Sequence, residues 1–240
     1  MAGPPFVTDD PEPVDYQHFE INVAAQGTKV EGARSGELPS VDINYGLLPD
    51  TQFHVGLLAP FQGTSGHSTY FGYGDTELGL KYRFIGENED GWRPQVAIYP
   101  NIDLPTGNAK EGLGSGHTKV FLPLWLQKTF GDWQTYGGGG YWLNQSGQSR
   151  NYWFTGWTLL RKFSDEWTLG GEVFHQTGDL TSEPELSGNG VSSRASSGFN
   201  LGGYYNLDKD HHIMLTVGRG LQNIPDTNLF SCYVGYQMIF

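Results

Sequence analysis

The feature that most restricts this chain is a period of two. Stretches of roughly ten residues alternate apolar with polar or small side chains, and they recur along the whole sequence. In GDTELGLKYRF, Thr76, Leu78, Leu80, Tyr82 and Phe84 share one face, and Asp75, Glu77, Gly79, Lys81 and Arg83 share the other. The closing stretch FSCYVGYQMIF sets Cys232, Val234, Tyr236, Met238 and Phe240 on one side. No long window places apolar residues at helical spacing. The alternation predicts strands over 16–25, 40–48, 51–61, 74–84, 92–104, 119–128, 134–143, 151–163, 168–177, 196–207, 212–220 and 230–240. Residues 27–37 read as a polar bend. Tight turns such as LPDT and FGDW alternate with longer, Gly- and Ser-rich connections, of which 178–194 is the longest.

An even strand count with short and long connections in alternation predicts an all-β fold, an antiparallel up-and-down transmembrane barrel of about twelve strands. Its turns would be periplasmic, its longer loops extracellular, and both ends of residues 15–240 periplasmic. The composition agrees. Only 37% of residues are hydrophobic, and no segment nears the roughly 18 apolar residues of a transmembrane helix, but a barrel strand needs an apolar residue only at every second place. Tyr45, Tyr70, Tyr73, Trp92, Trp133, Trp142, Tyr152, Trp153 and Trp167 fall near strand ends, where interfacial aromatic girdles sit. A soluble β-barrel or sandwich also alternates, but there the charged face meets water and the connections are more even.

Other classes fall away. A net charge of −12 disfavours nucleic acid, which needs a basic footprint. The single cysteine, Cys232, excludes an internal disulfide framework. The opening MAGPP reads as a mature start with an added Met. Residues 1–14, rich in Pro and Asp, read as an extended periplasmic segment, either a loose tail or a plug threaded into the lumen; the tail is the simpler reading.

The segments GYGDTELGLKYRF, RPQVAIYPNIDLPTG, LWLQKTFGDWQTYGGGGYWLN, NYWFTGWTLLRKF and LGGEVFHQT resemble an outer-membrane barrel family linked to the meta-pathway of phenol degradation. The terminal Phe240, with Tyr236 and Met238 at alternate places before it, resembles the signal read by the outer-membrane insertion machinery. The family resemblance implies a porin-like channel or transporter in the outer membrane of a Gram-negative bacterium; the barrel is expected to be a monomer. Its partners would be the lipid bilayer, lipopolysaccharide, the insertion machinery and a small solute, hydrophobic or aromatic. A non-conducting binding or scaffold barrel is the alternative.

If the apolar faces meet lipid, the others line the lumen. Glu20, Asp42, Asp75, Glu77, Lys81, Arg83, Arg93, Asp103, Lys119, Arg161 and Glu172 then form an internal charge network or a charge-selective constriction. Tyr99, Phe121, Trp125, Trp153, Trp157, Phe174, Tyr204 and Tyr233 form an aromatic lining or simply fill space. A weak point for lateral exit is expected at the glycines 137–140, Pro100 or Pro123. No catalytic residue, metal or cofactor is expected. A lipid hydrolase needs an activated serine on the lipid face, whereas His54, His175 and His212 fall on predicted lumen faces and His67 and His117 in loops. GLGSGH is no nucleophile elbow, and the adjacent His211 and His212 point to opposite faces. The acidic stretch DLTSEPE reads as a solvated loop rather than a Ca²⁺ site.

Overall fold

The computed structural model describes residues 3–88, 91–144, 146–147, 149–179 and 194–240. Its wall is one antiparallel sheet of twelve strands closed on itself. The strands are β1 (Phe19–Val30), β2 (Ala33–Leu48), β3 (Thr51–Thr64), β4 (Thr76–Ile85), β5 (in two pieces, Gln95–Ile98 and Asn101–Leu104), β6 (Lys119–Phe130), β7 (Trp133–Leu143), β8 (Tyr152–Lys162), β9 (Trp167–Gln176), β10 (Ser196–Asn206), β11 (His211–Gly220) and β12 (Phe230–Ile239). A two-residue strand, Tyr70–Phe71, a 3₁₀ turn, Ala109–Glu111, and one helical turn, Ile224–Thr227, decorate the loops.

Closure leaves no open sheet edge, the condition lipid imposes because nothing in the hydrocarbon can satisfy a bare N–H or C=O. The last strand pairs with the first in unbroken register from Glu20–Ile239 to Lys29–Phe230. Below that ladder Phe240 and Phe19 exchange backbone hydrogen bonds of 2.9 and 2.7 Å and stack their rings 5.7 Å apart. The terminal residue is therefore part of the seam.

Alternation decides the faces. On β1, Phe19, Ile21 and Val23 turn outward while Asn22 and Ala24 are buried inside; on β4, Leu80 and Tyr82 are outside, Glu77 and Lys81 inside. Residues 27–37 are not a bend. They form the paired upper half of the β1–β2 hairpin, which turns only at Glu31–Gly32. The outward positions of that stretch are Gly27, Lys29, Arg34 and Gly36, small or charged rather than apolar, so the ladder forms without a hydrophobic signal.

Candidate functional site

The lumen is occupied by the chain's own beginning. Pro4, Pro5, Pro11 and Pro13 deprive the first residues of ladder donors and hold them extended. The N–H groups that remain need partners in the interior, and the wall supplies them. Glu172 on β9 accepts from the N–H groups of Val7 and Thr8, both at 2.8 Å, and from Asn200 Nδ2 at 2.6 Å. Gln52 on β3 accepts from the Val14 N–H at 2.9 Å. Tyr204 and Thr216 donate to the carbonyls of Pro4 and Pro5, each at 3.0 Å. Phe6 is 4% exposed and packs among Tyr136, Leu160 and Tyr204.

Charge fastens the middle of the segment. Lys81 Nζ lies 3.1 Å from Asp9 Oδ1 and 3.7 Å from Asp10 Oδ1, and it donates to the Glu12 carbonyl at 3.3 Å. Lys81 and Asp9 are both almost fully buried. Gly156 on β8 faces inward beneath Thr8, and a methyl group there would collide with the Thr8 side chain. Glycine at this position is what lets the segment lie against the wall.

Two chambers flank the segment. The one nearer the extracellular end holds about 290 Å³ and is walled by Phe6, Val7, Phe154, Phe174 and Tyr233. The one nearer the periplasmic end holds about 440 Å³ and is polar, with Asp10, Glu12, Glu20, His54 and His212 on its walls.

Other predicted lumen charges sit as follows. Glu20 accepts from Asn22 and Asn44 at 3.1 and 3.0 Å, and Asp42 is buried nearby. Asp103 and Lys119 form an ion pair of 2.8 Å. Glu77 lies 3.6 Å from His54 Nε2. Asp75 sits at the extracellular mouth and accepts from the N–H groups of Gly107 and Ser115 and from the Ser115 hydroxyl. Arg83 spans the periplasmic turn to Asp50 at 2.6 Å and reaches Gln95 at 2.7 Å.

Two expected lumen cations lie elsewhere. Arg93 is exposed in the turn before β5, donating to the Gly86 carbonyl at 3.0 Å. Arg161 stands on the outer wall, its guanidinium over the rings of Trp133 and Phe163. At the periplasmic interface this arrangement covers the apolar stem and leaves the charge wet.

Among the aromatics, Tyr99, Phe121 and Trp125 point inward and pack with Phe154, and Phe174 and Trp142 lean on that cluster. Tyr204 and Tyr233 also face inward. Trp153 and Trp157 do not: they are 60% and 50% exposed on the outer wall. The run YWFTGWTLL carries rings on both faces, so its phase cannot be read from alternation; Gly156 under Thr8 sets it. The ring that belongs inside is Phe154. Trp142 and Tyr152, expected in a girdle, stack together inside, 5.7 Å apart. The Gly137–Gly140 ladder is continuous with both neighbours. Its inward glycines seat rings, Trp125 against Gly138 and Phe121 against Gly140. The interruption in the wall is at Tyr99–Pro100, between the two pieces of β5.

The histidines also need one correction. His54 and His212 face the lumen, bonded to Asn44 and Asn206 at 2.7 and 2.8 Å. His175 faces outward, because it pairs across the ladder with Ser197 beside the exposed Val173. Its Nδ1 lies 2.8 Å from Ser197 Oγ, so a His–Ser pair does stand on the outer wall. Ser197 directs its hydroxyl hydrogen to Gln222 Oε1 at 3.1 Å, and among the described residues no third group bonds His175 Nε2. A nucleophilic serine requires a base oriented by a third group, and the Ser197 proton here goes to Gln222 instead of His175. Residues 180–185 of the acidic DLTSEPE stretch lie outside the described residues.

Comparison with solved structures supports the architecture. The chain is similar to the COG4313 outer membrane channel from Pseudomonas putida F1, with a TM-score of 0.73 and 17% identity over 96% of this chain and 98% of that one. It is similar to the NanC porin, with a TM-score of 0.61 and 8% identity over 91% and 98%. It is also similar to the translocator domain of autotransporter NalP from Neisseria meningitidis, with a TM-score of 0.59 and 13% identity over 94% and 90%. At these identities the likeness establishes the fold. A sequence search of curated proteins gave no match. The closed wall and its lipid-facing apolar band place the protein in the bacterial outer membrane. The family model described as "Putative MetA-pathway of phenol degradation" matches residues 20–230, and the chain belongs to that family.

Proposed function

We propose that this barrel is a passive channel for small hydrophobic or aromatic molecules, and that residues 3–14 act as its plug. The observation that carries this reading is the extracellular chamber of about 290 Å³, walled by Phe154, Phe174 and Tyr233 and floored by Phe6 and Val7 of the segment itself. Between these rings stand polar groups, among them Gln26, Glu37, Asn200 and Ser231, and a small chamber of aromatic faces with polar groups between them suits a compact aromatic solute. Beneath it, Lys81 with the carboxylates of Asp9 and Asp10, and the Glu12 carboxylate held by Gln127, fill the bore with charge. A solute would enter from outside, rest on Phe6, and pass when the segment yields.

The test is single-channel conductance in planar bilayers together with uptake of a monoaromatic solute into liposomes. The intact chain is compared with one lacking residues through Val14. Low conductance in the intact chain, a marked rise on deletion and faster aromatic uptake are the expected results. Equal, negligible conductance and uptake in both forms would overturn the channel reading and leave a non-conducting scaffold barrel.

A further inference from the structure

The outer wall carries a second feature that the lumen reading does not use. Every Asp and Glu within the wall strands (Glu20, Glu37, Asp42, Glu77, Asp103 and Glu172) sits on the lumen side, so the outer face has no wall carboxylate. It does have basic residues. Lys29 on β1 and Arg34 on β2 are directly opposite each other across the ladder, both exposed. Like charges in that relation repel. Among the described residues neither has an ion-pair partner within 4 Å, and Glu31 in the turn between them pairs with neither. Two strands round the wall, Arg219 is also exposed and has no ion-pair partner among the described residues, following Gly218, which faces Ser231.

The height of the pair matters. Lys29 is ten residues beyond Phe19, which marks the periplasmic seam. At about 3.3 Å per residue and a tilt near 40°, that is about 25 Å along the membrane normal, the height of the apolar band. The two cations therefore stand where the hydrocarbon of the outer leaflet ends.

They also border a built groove of about 680 Å³ on the outer side of β12, β1, β2 and β3. Its floor is a row of small residues in register, Cys232 opposite Gly27 and Gly27 opposite Gly36, with the Phe61 ring lying over Gly36 and reaching toward Gly27. Phe61 and the half-exposed Phe230 form apolar sides. The Arg34 guanidinium and the Thr69 hydroxyl converge over Gly63, whose added Cβ would stand 3.3 Å from Arg34 Nε and 2.9 Å from Thr69 Oγ1.

We propose that this groove binds the phosphorylated headgroup of an outer-leaflet glycolipid, with Lys29 and Arg34 gripping a phosphate, Thr69 adding a hydrogen bond, and an acyl chain lying along Phe61 and Phe230. A phosphate removes the repulsion between the cations, and arginine beside a second donor suits its oxygens. This site stands apart from the lumen and does not depend on whether the barrel conducts.

The experiment measures lipid retention by native mass spectrometry on the full chain refolded in detergent. The probes are bisphosphorylated hexa-acyl lipid A, the same lipid stripped of phosphate, and millimolar inorganic phosphate as competitor. Wild type is expected to retain the phosphorylated lipid in preference to the stripped one. The K29Q/R34Q variant is expected to bind it at least about tenfold more weakly, as losing two charge-assisted contacts requires. Arg34→Lys is expected to keep most of the binding, and Lys110→Gln, in a loop on another part of the rim, all of it. Heat-modifiable migration on a gel confirms that each variant is folded; should the double variant not fold, Lys29→Gln and Arg34→Gln singly are read instead. Equal retention of stripped and phosphorylated lipid, undiminished binding by the variants, or full displacement by inorganic phosphate would each overturn the proposal.

Discussion

Lys81→Met is the most informative single change in this protein. It preserves length and bulk on the inner face of β4 while removing the charge that meets Asp9 at 3.1 Å. Both side chains are about 5% exposed, so little solvent screens the loss. Removing one partner of a buried pair costs about 3–5 kcal/mol because the other charge is left desolvated. None of that cost falls on the wall ladder, whose hydrogen bonds are all backbone to backbone. It falls on the docked segment, which can leave the lumen and take Asp9 into water. At about 1.4 kcal/mol per decade, opening of the segment should become about 10²–10⁴ times more frequent. Hydrogen exchange at the Val7 and Thr8 amides, which are held by Glu172 rather than by Lys81, reports that opening directly. The amides should exchange faster by that factor, while amides in β8 and β9 keep their protection. Adding Asp9→Asn to Lys81→Met replaces the stranded carboxylate with a neutral amide and should restore most of the protection. Unchanged exchange in the single variant, or no recovery in the double, would refute the view that this ion pair holds the segment in place.

Other expectations follow from the same geometry. Gly156→Val places a side chain where Thr8 lies, and should expel the segment and raise conductance in bilayers with the barrel still folded. Trp157→Ala removes a lipid-facing ring whose Nε1 donates to Thr135 Oγ1 at 2.8 Å; it should lower the urea midpoint by the equivalent of about 1–2 kcal/mol and leave conductance unchanged, whereas a lumen tryptophan would alter conductance. Deleting Phe240 removes two seam hydrogen bonds and a ring stack, and should cost about 2–3 kcal/mol in equilibrium unfolding from vesicles. Asp103→Asn strands the buried Lys119, and should shift reversal potentials of the conducting, segment-deleted form toward anion preference.

The twelve strands were legible in the sequence because lipid on one side and water or packing on the other force a period of two on almost every strand. Legibility fails where that contrast weakens. Residues 27–37 carry Gly27, Lys29, Arg34 and Gly36 where apolar residues would mark the outer face, so a paired hairpin reads as a bend. On β8 rings occupy both faces, and Trp153 and Trp157 are placed inside when they belong outside. Arg161 is assigned to the lumen by the same phase error, and Arg93 by starting β5 three residues too early, at Trp92 instead of Gln95. The largest gap concerns the beginning of the chain. Phe6, Thr8 and Asp9 owe their positions to Tyr136, Gly156, Glu172 and Lys81, dozens to more than a hundred residues away, and no local pattern in a Pro-rich segment encodes such partners. Acids at 9, 10 and 12 with cations at 81, 83 and 93 are the one trace the sequence holds of that meeting, and Lys81 is the cation that pairs with Asp9 and Asp10.

The seating of Phe6 among Tyr136, Leu160 and Tyr204 has a thermodynamic consequence. The segment is in effect a ligand covalently tied to its own receptor, joined to it at the periplasmic rim where Gln17 and His18 bond to Gly46. Short flexible tethers confer effective concentrations of about millimolar. A solute that needs Phe6's place competes against that standing concentration, so its apparent affinity is lower than its intrinsic one by the fraction of time the place is free. Occupancy of the lumen would then follow the same saturation curve displaced to higher solute concentration, so the strength of the Phe6 seat sets the concentration range over which the barrel fills.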